Sequence, residues 1–435
     1  MNRPPDILWI VTTQWRAQAC GYAGDANART PHLDAFAERS IDYAQAVTPH
    51  PFGPFARAAL LTGVASPANG VVDYFDPLPV LSPAEIEASH GAAPGTRPGR
   101  TIAHALSDRG YVTAFFGKWH LARRDPGAAL VGETHARTFV PPEARGGFEV
   151  WEGFESGFLL NDPWLHGTRL PLPRKFSGYQ ADVLAGRAAA WVAEEGAARD
   201  ANWFAMVSLE PPHPPYDAPA PEVPARSPES LVLAPNVPRG GEEERRARRE
   251  LAGYYAHIEA TDRAIGRLLA DVDAHATRTG RARPVVVCTS VHGDMHGAHG
   301  LFRKGWPHEE SVRVPLLVRP RTDAATPPPA GTRSIAAVSL IDLPRMTLAW
   351  AAGGDVEITR GAAAISMPGV VALPHQCDRR WRGVRTPARK LILGDDGLPW
   401  LFFDLANDPG EQLNLAAEPG WAAEIARLRE LIPAT

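Results

Sequence analysis

Lysine and histidine side chains follow several of the predicted strands of this chain. They are Lys118 and His120 after the apolar segment 112–116, His213 after 204–209, and His292 after 285–289. Ligands of a mostly parallel α/β sheet bind at the carboxyl ends of its strands, so we expect these side chains to lie in one pocket. Ammonium and imidazole groups that converge in this way form an anion site.

A histidine-rich segment, VHGDMHGAH from Val291 to His299, follows the last of these strands. His292, Asp294 and His296 are side chains that a transition metal such as zinc accepts as ligands. A loop, however, offers no fixed helical spacing that would bring the three donors together. We therefore favour a site without a metal or other cofactor, and keep the zinc site as the alternative.

Apolar segments alternate with helical segments along most of the chain. Ile7–Val11 is a continuous apolar run, as expected of a buried parallel strand, and Glu242–Ala276 carries apolar residues at helical spacing. This alternation predicts an α/β domain with a mostly parallel central sheet flanked by helices. From about Val370 the pattern changes to hairpin strands and a final helix, Trp421–Leu431. We predict a main domain over 1–369 and a small C-terminal α+β subdomain over 370–435.

The composition excludes several classes of protein. The 435 residues carry a formal net charge of -4, which argues against a general nucleic-acid surface. No apolar run approaches the roughly 20 residues of a membrane span, and no apolar signal segment follows the N-terminus. The three cysteines, Cys20, Cys288 and Cys377, are scattered and predict buried free thiols. We expect a cytoplasmic protein that binds neither membrane nor nucleic acid.

Several short segments resemble, in the same order, those of the sulfatase branch of the alkaline phosphatase superfamily. They are TQWR at 13–16, PFARAALLTG at 54–63, GKWHL at 117–121, PHPP at 212–215, LFRK at 301–304 and the C-terminal run LFFDLANDPGEQLNL at 401–415. The opening TQWR is similar to the DQWR of the phosphonate monoester hydrolase and arylsulfatase group. The resemblance covers nearly the whole chain and implies the alkaline phosphatase-like fold.

The resemblance also shows which parts of the family's chemistry this chain lacks. Gly53 occupies the position of the Cys or Ser that becomes the formylglycine nucleophile, and a shift of one residue would place Phe52 there. Neither residue can be oxidised to formylglycine. Thr13 and Val291 occupy the positions of two acidic ligands of a hard divalent cation, which needs such carboxylates. Gln14 and His292 remain beside them.

Other family positions are retained, and the resemblance implies their roles. Lys118, Lys304 and His120 match residues that contact the sulfate, and His213 matches one that faces the sulfate or the leaving group. Arg57 matches the residue that braces the nucleophile. Asn69 and Gln14 complete the predicted sulfate-binding set.

This combination favours a repurposed enzyme that expels sulfate without hydrolysis. An amine of the substrate would displace the sulfate ester at carbon and close a small ring such as an aziridine. Positioning alone can contribute about 7–11 kcal/mol to such a step. The general base would be His213, His120 or His292, in falling order of preference, and Glu210 or Asp294 would bind an ammonium group. The reaction resembles the sulfate-eliminating ring closure of azinomycin-type antibiotic biosynthesis, to which a sulfatase-like protein is assigned.

Two other functions remain open. The first is a pseudoenzyme that binds a sulfate or phosphate ester or serves as a scaffold. The second is a residual hydrolase that uses Thr13 or Ser208, although nothing matches an activated Ser or Thr arrangement.

One charged segment of the chain bears on whether the protein binds a partner protein. The charge run EEERRARRE at 242–250 is typical of a solvated helix face with intrahelical pairs. The alternative is a surface for an acidic carrier protein that presents a tethered substrate, or for a small partner protein.

Overall fold

A ten-stranded sheet forms the centre of the molecule. The computed structural model describes residues 3–196, 200–224, 226–321, 331–354, 358 and 360–433. The strands of the large sheet are β1 (Ile7–Thr12), β2 (Ile41–Tyr43), β3 (Val112–Lys118), β4 (Val150–Phe154), β5 (Trp164–Gly167), β6 (Arg174–Lys175), β7 (Trp203–Ser208), β8 (Val285–Ser290), β9 (Leu316–Arg319) and β10 (Thr332–Ser334). Their spatial order is β10-β2-β9-β8-β1-β7-β3-β4-β5-β6. The central strands β8, β1, β7, β3 and β4 are parallel, and antiparallel pairings occur towards both edges. The predicted α/β fold with a mostly parallel central sheet is confirmed.

Side chains alternate between the two faces of the sheet because successive residues of a strand point in opposite directions. In β1, Trp9 packs into one hydrophobic cluster, whereas Leu8 and Ile10 pack into the other. Both faces are therefore buried, and all six residues of β1 are inaccessible to solvent. This explains why the strand reads as a continuous apolar run.

Helices cover both faces. They are α1 (Pro31–Ala37), α2 (Gly53–Thr62), α3 (Pro83–Ala88), α4 (Ile102–Ser107), α5 (Glu133–Ala136), α6 (Gln180–Trp191), α7 (Glu242–Thr279), α8 (Glu309–Val312), α9 (Leu343–Ala351) and α10 (Ala422–Arg429). Helices α2, α4 and α9 contribute to the first cluster, and α1, α6 and α7 to the second. Every residue of α2 is buried, so this helix lies inside the molecule with its N-terminus at the level of the strand ends.

A small antiparallel sheet follows in the chain, with strands in sequence order. It contains β11 (Ala363–Met367), β12 (Trp381–Arg385), β13 (Arg389–Gly394) and β14 (Pro399–Asp404). The sheet begins before residue 370, where we placed the domain boundary, and Trp381 and Ile392 join the hydrophobic cluster of the main domain. The sequence pattern marked the change of architecture but not the packing of the two parts.

Two expectations from composition can be examined in the structure. All three cysteines are buried and unpaired, as predicted. Within the described ranges, the helices are too short or too polar to cross a membrane.

Candidate functional site

The strands β8, β1, β7 and β3 end side by side, and each is followed by polar residues of the predicted site. Thr13 follows β1, His213 lies in the loop after β7, His292 lies two residues beyond β8, and Lys118 is the last residue of β3. These strands are adjacent and parallel, so the residues meet at one edge of the sheet. A cavity of about 640 Å³ opens there.

The cavity is lined by seven of the eleven predicted site residues. These are Thr13, Gly53, Lys118, His120, His213, His292 and Lys304. The other four do not line it. Arg57 lies directly behind Thr13, Gln14 lies behind Lys304, and Val291 is buried in the hydrophobic core. The Asn69 side chain bonds the backbone of Val64 and Val71, and so stabilises a turn.

The His120 ring occupies the space beside Gly53. Gly53 begins helix α2, and a Cβ atom at this position would lie only 2.8 Å from His120 Nδ1. His120 Nε2 accepts a hydrogen bond from Arg124 Nη1 at 2.9 Å. The neutral ring therefore carries its hydrogen on Nδ1, and this N–H has no partner among the described residues. His120 thus presents a hydrogen-bond donor at the place that the resemblance assigns to the nucleophile.

The other two histidines adopt a different tautomer. His213 Nδ1 donates to Pro214 O at 2.7 Å, and its Nε2 accepts from Lys304 Nζ at 2.9 Å. His292 Nδ1 donates to Gly293 O at 2.9 Å, which leaves the Nε2 lone pair without a partner in the part of the chain described. Burial lowers the pKa of all three histidines well below the ordinary value, and the nearby cations reinforce this effect. They are therefore neutral near pH 7.

Two buried lysines supply the cationic character of the cavity. Lys118 pairs with Glu210, and Lys304 Nζ bonds Gln14 Oε1 at 2.6 Å. Burial lowers the pKa of Lys118 to about 8, although Glu210 opposes this shift. Burial, reinforced by the Lys118 charge, lowers the pKa of Lys304 well below its ordinary value. An anion bound between them would favour the charged form of both groups.

Arg57 adds a third cation behind the cavity floor. Its Nη2 donates to Thr13 Oγ1 at 2.7 Å, and no partner for Nε and Nη1 is found among the described residues. Burial lowers its pKa to about 10, which leaves the guanidinium charged near neutrality. The N-terminus of α2 points to the same region and favours negative charge there.

The residues present do not fit the hard divalent cation that the resemblance implies. The resemblance places Thr13 and Val291 at the positions of the two carboxylates, and Thr13 Oγ1 already contacts the Arg57 guanidinium. The Gln14 Oε1 atom accepts from the Lys304 ammonium. Cationic side chains thus contact the remaining oxygen donors, whereas calcium or magnesium needs several free anionic ones.

The alternative zinc set does not converge either. Asp294 accepts hydrogen bonds from Gln14 and Tyr216, and its Oδ2 lies 3.7 Å from His296 Nε2. His292 is not part of this arrangement. Among the described residues, the donor atoms of three potential ligands converge only at His299, Glu310 and Glu411, near the small sheet.

Several lining residues were not found from the sequence. Phe158 stacks on the His213 ring, with centroids 4.6 Å apart and planes at 3°, and Lys118 Nζ lies 4.6 Å from its centroid. Tyr74, Asp217 and the segment 373–376 also line the cavity. None follows a predicted strand or belongs to a motif, so only proximity in the fold identifies them. The two residues proposed to bind an ammonium group, Glu210 and Asp294, are buried and do not line it.

Comparisons with known proteins agree with this geometry. The family model described as Sulfatase matches residues 5–354. The ulvan-active sulfatase of Formosa agariphila is 33% identical over 440 residues, which cover 95% of this chain and 78% of that protein. The crystal structure of yidJ from Bacteroides fragilis has a TM-score of 0.79 at 23% identity, covering 99% of this chain and 95% of that one. The phosphonate monoester hydrolase of Agrobacterium radiobacter has a TM-score of 0.69 at 20% identity, covering 98% and 94%. The motifs, the fold and these matches together show that the chain belongs to the sulfatase family.

Proposed function

We propose that this protein binds a sulfate monoester and expels its sulfate by breaking the carbon–oxygen bond instead of the sulfur–oxygen bond. The observation that carries the proposal is the His120 ring beside Gly53, in the place of the missing nucleophile. Lys118, Lys304 and the His120 N–H remain available to bind an anionic group. The site therefore keeps groups that bind sulfate and lacks a group that attacks sulfur.

The reaction needs a nucleophile, which the substrate itself would supply. The lone pair of a neighbouring amine attacks the carbon that bears the ester, and the carbon–oxygen bonding pair leaves with the sulfate oxygen. The products are a small ring such as an aziridine, inorganic sulfate and one proton. Lys118, Lys304 and Arg57 stabilise the charge that grows on the departing sulfate. The cavity contributes by holding amine and carbon in line.

His292 is the best placed general base for the proton released from the amine. Its Nε2 lone pair has no partner among the described residues, and His292 lines the cavity. His213 Nε2 already accepts from Lys304, and His120 presents an N–H. This assignment places His292, the last of the three candidates from the sequence, first. The hydrogen bonds that fix each tautomer are visible only in the fold.

The cellular role of the protein and the delivery of its substrate follow from the sequence predictions. The role in azinomycin-type biosynthesis, a cytoplasmic location, and a carrier or small partner protein all stay predictions. The charge run at the start of α7 forms exposed intrahelical pairs such as Arg245–Glu242, whose side chains are 63% and 62% exposed. These pairs support the solvated helix face over a surface dedicated to a carrier.

The test is to incubate the metal-stripped protein with a sulfated 1,2-amino alcohol and weigh the organic product by mass spectrometry. We expect sulfate release together with a product lighter than the free amino alcohol by one water. The Lys304→Met variant, in which an uncharged and slightly shorter side chain replaces the ammonium group, should lose this activity. Release of the free alcohol would instead demonstrate hydrolysis, and binding without turnover would indicate a pseudoenzyme.

A further inference from the structure

The outer wall of the cavity is apolar, in contrast to its cationic floor. It is formed by Leu130, Val131, Phe158, Leu373 and Pro374. Val131 is 65% exposed, and Leu130, Phe158 and Leu373 are half-buried. Apolar side chains that stay exposed around a concave site mark a surface that a ligand covers.

Most polar side chains near this wall already have an ion-pair or hydrogen-bond partner. Glu250 pairs with Arg303, and Arg249 pairs with Glu242 at 2.9 Å. Gln376 Oε1 accepts from the Lys304 backbone N–H at 3.2 Å. Few free partners remain here for the hydroxyl groups of a sugar ring, which disfavours such a substrate. Asp217 is the lining carboxylate without an ion pair in the described ranges, and it suits a substrate cation.

We infer that the substrate is a small sulfate monoester with a largely apolar carbon skeleton, and not a sulfated oligosaccharide. This inference rests on the proposed sulfate-ester function, because Lys118 and Lys304 must hold the sulfate for the skeleton to reach the wall. A cavity of about 640 Å³ has the size of a site for one small molecule. The sulfate would anchor at the floor, and the skeleton would contact Leu130, Val131 and Leu373.

Binding is measured by calorimetry on the full chain, with methyl, butyl and hexyl sulfate and with glucose 6-sulfate. A fully buried methylene tightens the dissociation constant by about fourfold. We expect affinity to rise along the alkyl series and glucose 6-sulfate to bind more weakly than hexyl sulfate. The Val131→Ser and Leu373→Ser variants should flatten the series. Leu398→Ser is the matched control, because this leucine is 60% exposed and does not line the cavity.

The outcomes separate this inference from the proposed reaction. A flat alkyl series, or glucose 6-sulfate bound as tightly as hexyl sulfate, would overturn the inference even if sulfate elimination were observed. Chain-length dependence without any ring-closed product would support the substrate class and reject the elimination. Failure of methyl sulfate and inorganic sulfate to bind at all would contradict both.

Discussion

At the scale of single residues, the contact between Gly53 and His120 is central to the proposed chemistry. The His120 ring lies where any side chain at Gly53 would have to lie. Restoring a nucleophile by Gly53→Ser should therefore not restore hydrolysis, and it should weaken sulfate binding by displacing the His120 donor. Sulfate release and binding affinity check both points. Gly361→Ser is the control, since a Cβ there meets nothing within 4 Å. Sulfate hydrolysis by the Gly53→Ser protein would contradict the argument.

The tautomers of the three histidines lead to a second prediction. If His292 is the base, His292→Gln should lower kcat by about 10²-fold or more with little effect on substrate affinity. His120→Ala should mainly weaken affinity, because it removes a donor to the sulfate. Steady-state kinetics on the ring-closing substrate distinguishes the two effects. A larger loss of kcat in His213→Gln than in His292→Gln would restore the order expected from the sequence.

The depressed pKa values of the two lysines predict proton uptake on binding. An anion favours the charged form of Lys118 and Lys304 and raises both pKa values, so protons are taken up when sulfate binds. The affinity should fall as the pH rises through about 8, the pKa of Lys118 in the empty site. Calorimetry in buffers with different ionisation enthalpies measures the uptake. The proton uptake should decrease in the Lys304→Met variant. Equal heats of binding in all buffers would exclude proton uptake.

At the scale of elements, a buried ion network joins α8 to the small sheet. Lys390 on β13 contacts Glu411 Oε1 at 2.6 Å and Glu309 Oε1 at 2.8 Å, and donates to Pro307 O at 2.9 Å. Lys390→Met should destabilise the protein by about 3–5 kcal/mol, because the buried carboxylate of Glu411 loses its cation, whereas Glu309 keeps its pairs with Arg385 and Arg313. Urea unfolding gives this difference. The exposed pair Arg427–Glu424 serves as the control, and Arg427→Met should change stability little. Similar stability of the two variants would contradict the network's role.

At the scale of the whole molecule, contacts among the described residues cross the predicted domain boundary. Strand β11 precedes residue 370 but pairs with β12, and the segment 373–376 lines the cavity. A protein truncated to 1–369 would leave β11 unpaired and open the core around Trp381. We expect this truncated chain to show no cooperative thermal unfolding and no sulfate binding. A folded truncated protein that binds sulfate as the full chain does would establish two independent domains.

Local pattern and residue order predict the parallel sheet, which the structure confirms, and an anion site at its strand ends, which stays a prediction. Continuous apolar runs such as Ile7–Val11 can be buried on both faces only in a covered parallel sheet, so strand type and site position followed from local pattern. The assignment of Gly53 to the nucleophile position, and of Thr13 and Val291 to two carboxylate positions, rests on the resemblance alone and stays a prediction. These properties depend on residue type and order alone.

The tautomers of the histidines and the set of residues that line the cavity follow only from the tertiary structure. The hydrogen bonds from Arg124 to His120 and from Lys304 to His213 determine which imidazole presents a lone pair. The sequence does not show that these residues are in contact. The apolar wall combines Val131 with Leu373, which lie far apart in the chain and carry no motif. Asn69, assigned to the pocket by its position in a motif, instead holds a turn. Hydrogen-bond direction and cavity shape arise from long-range packing, which residue order does not specify.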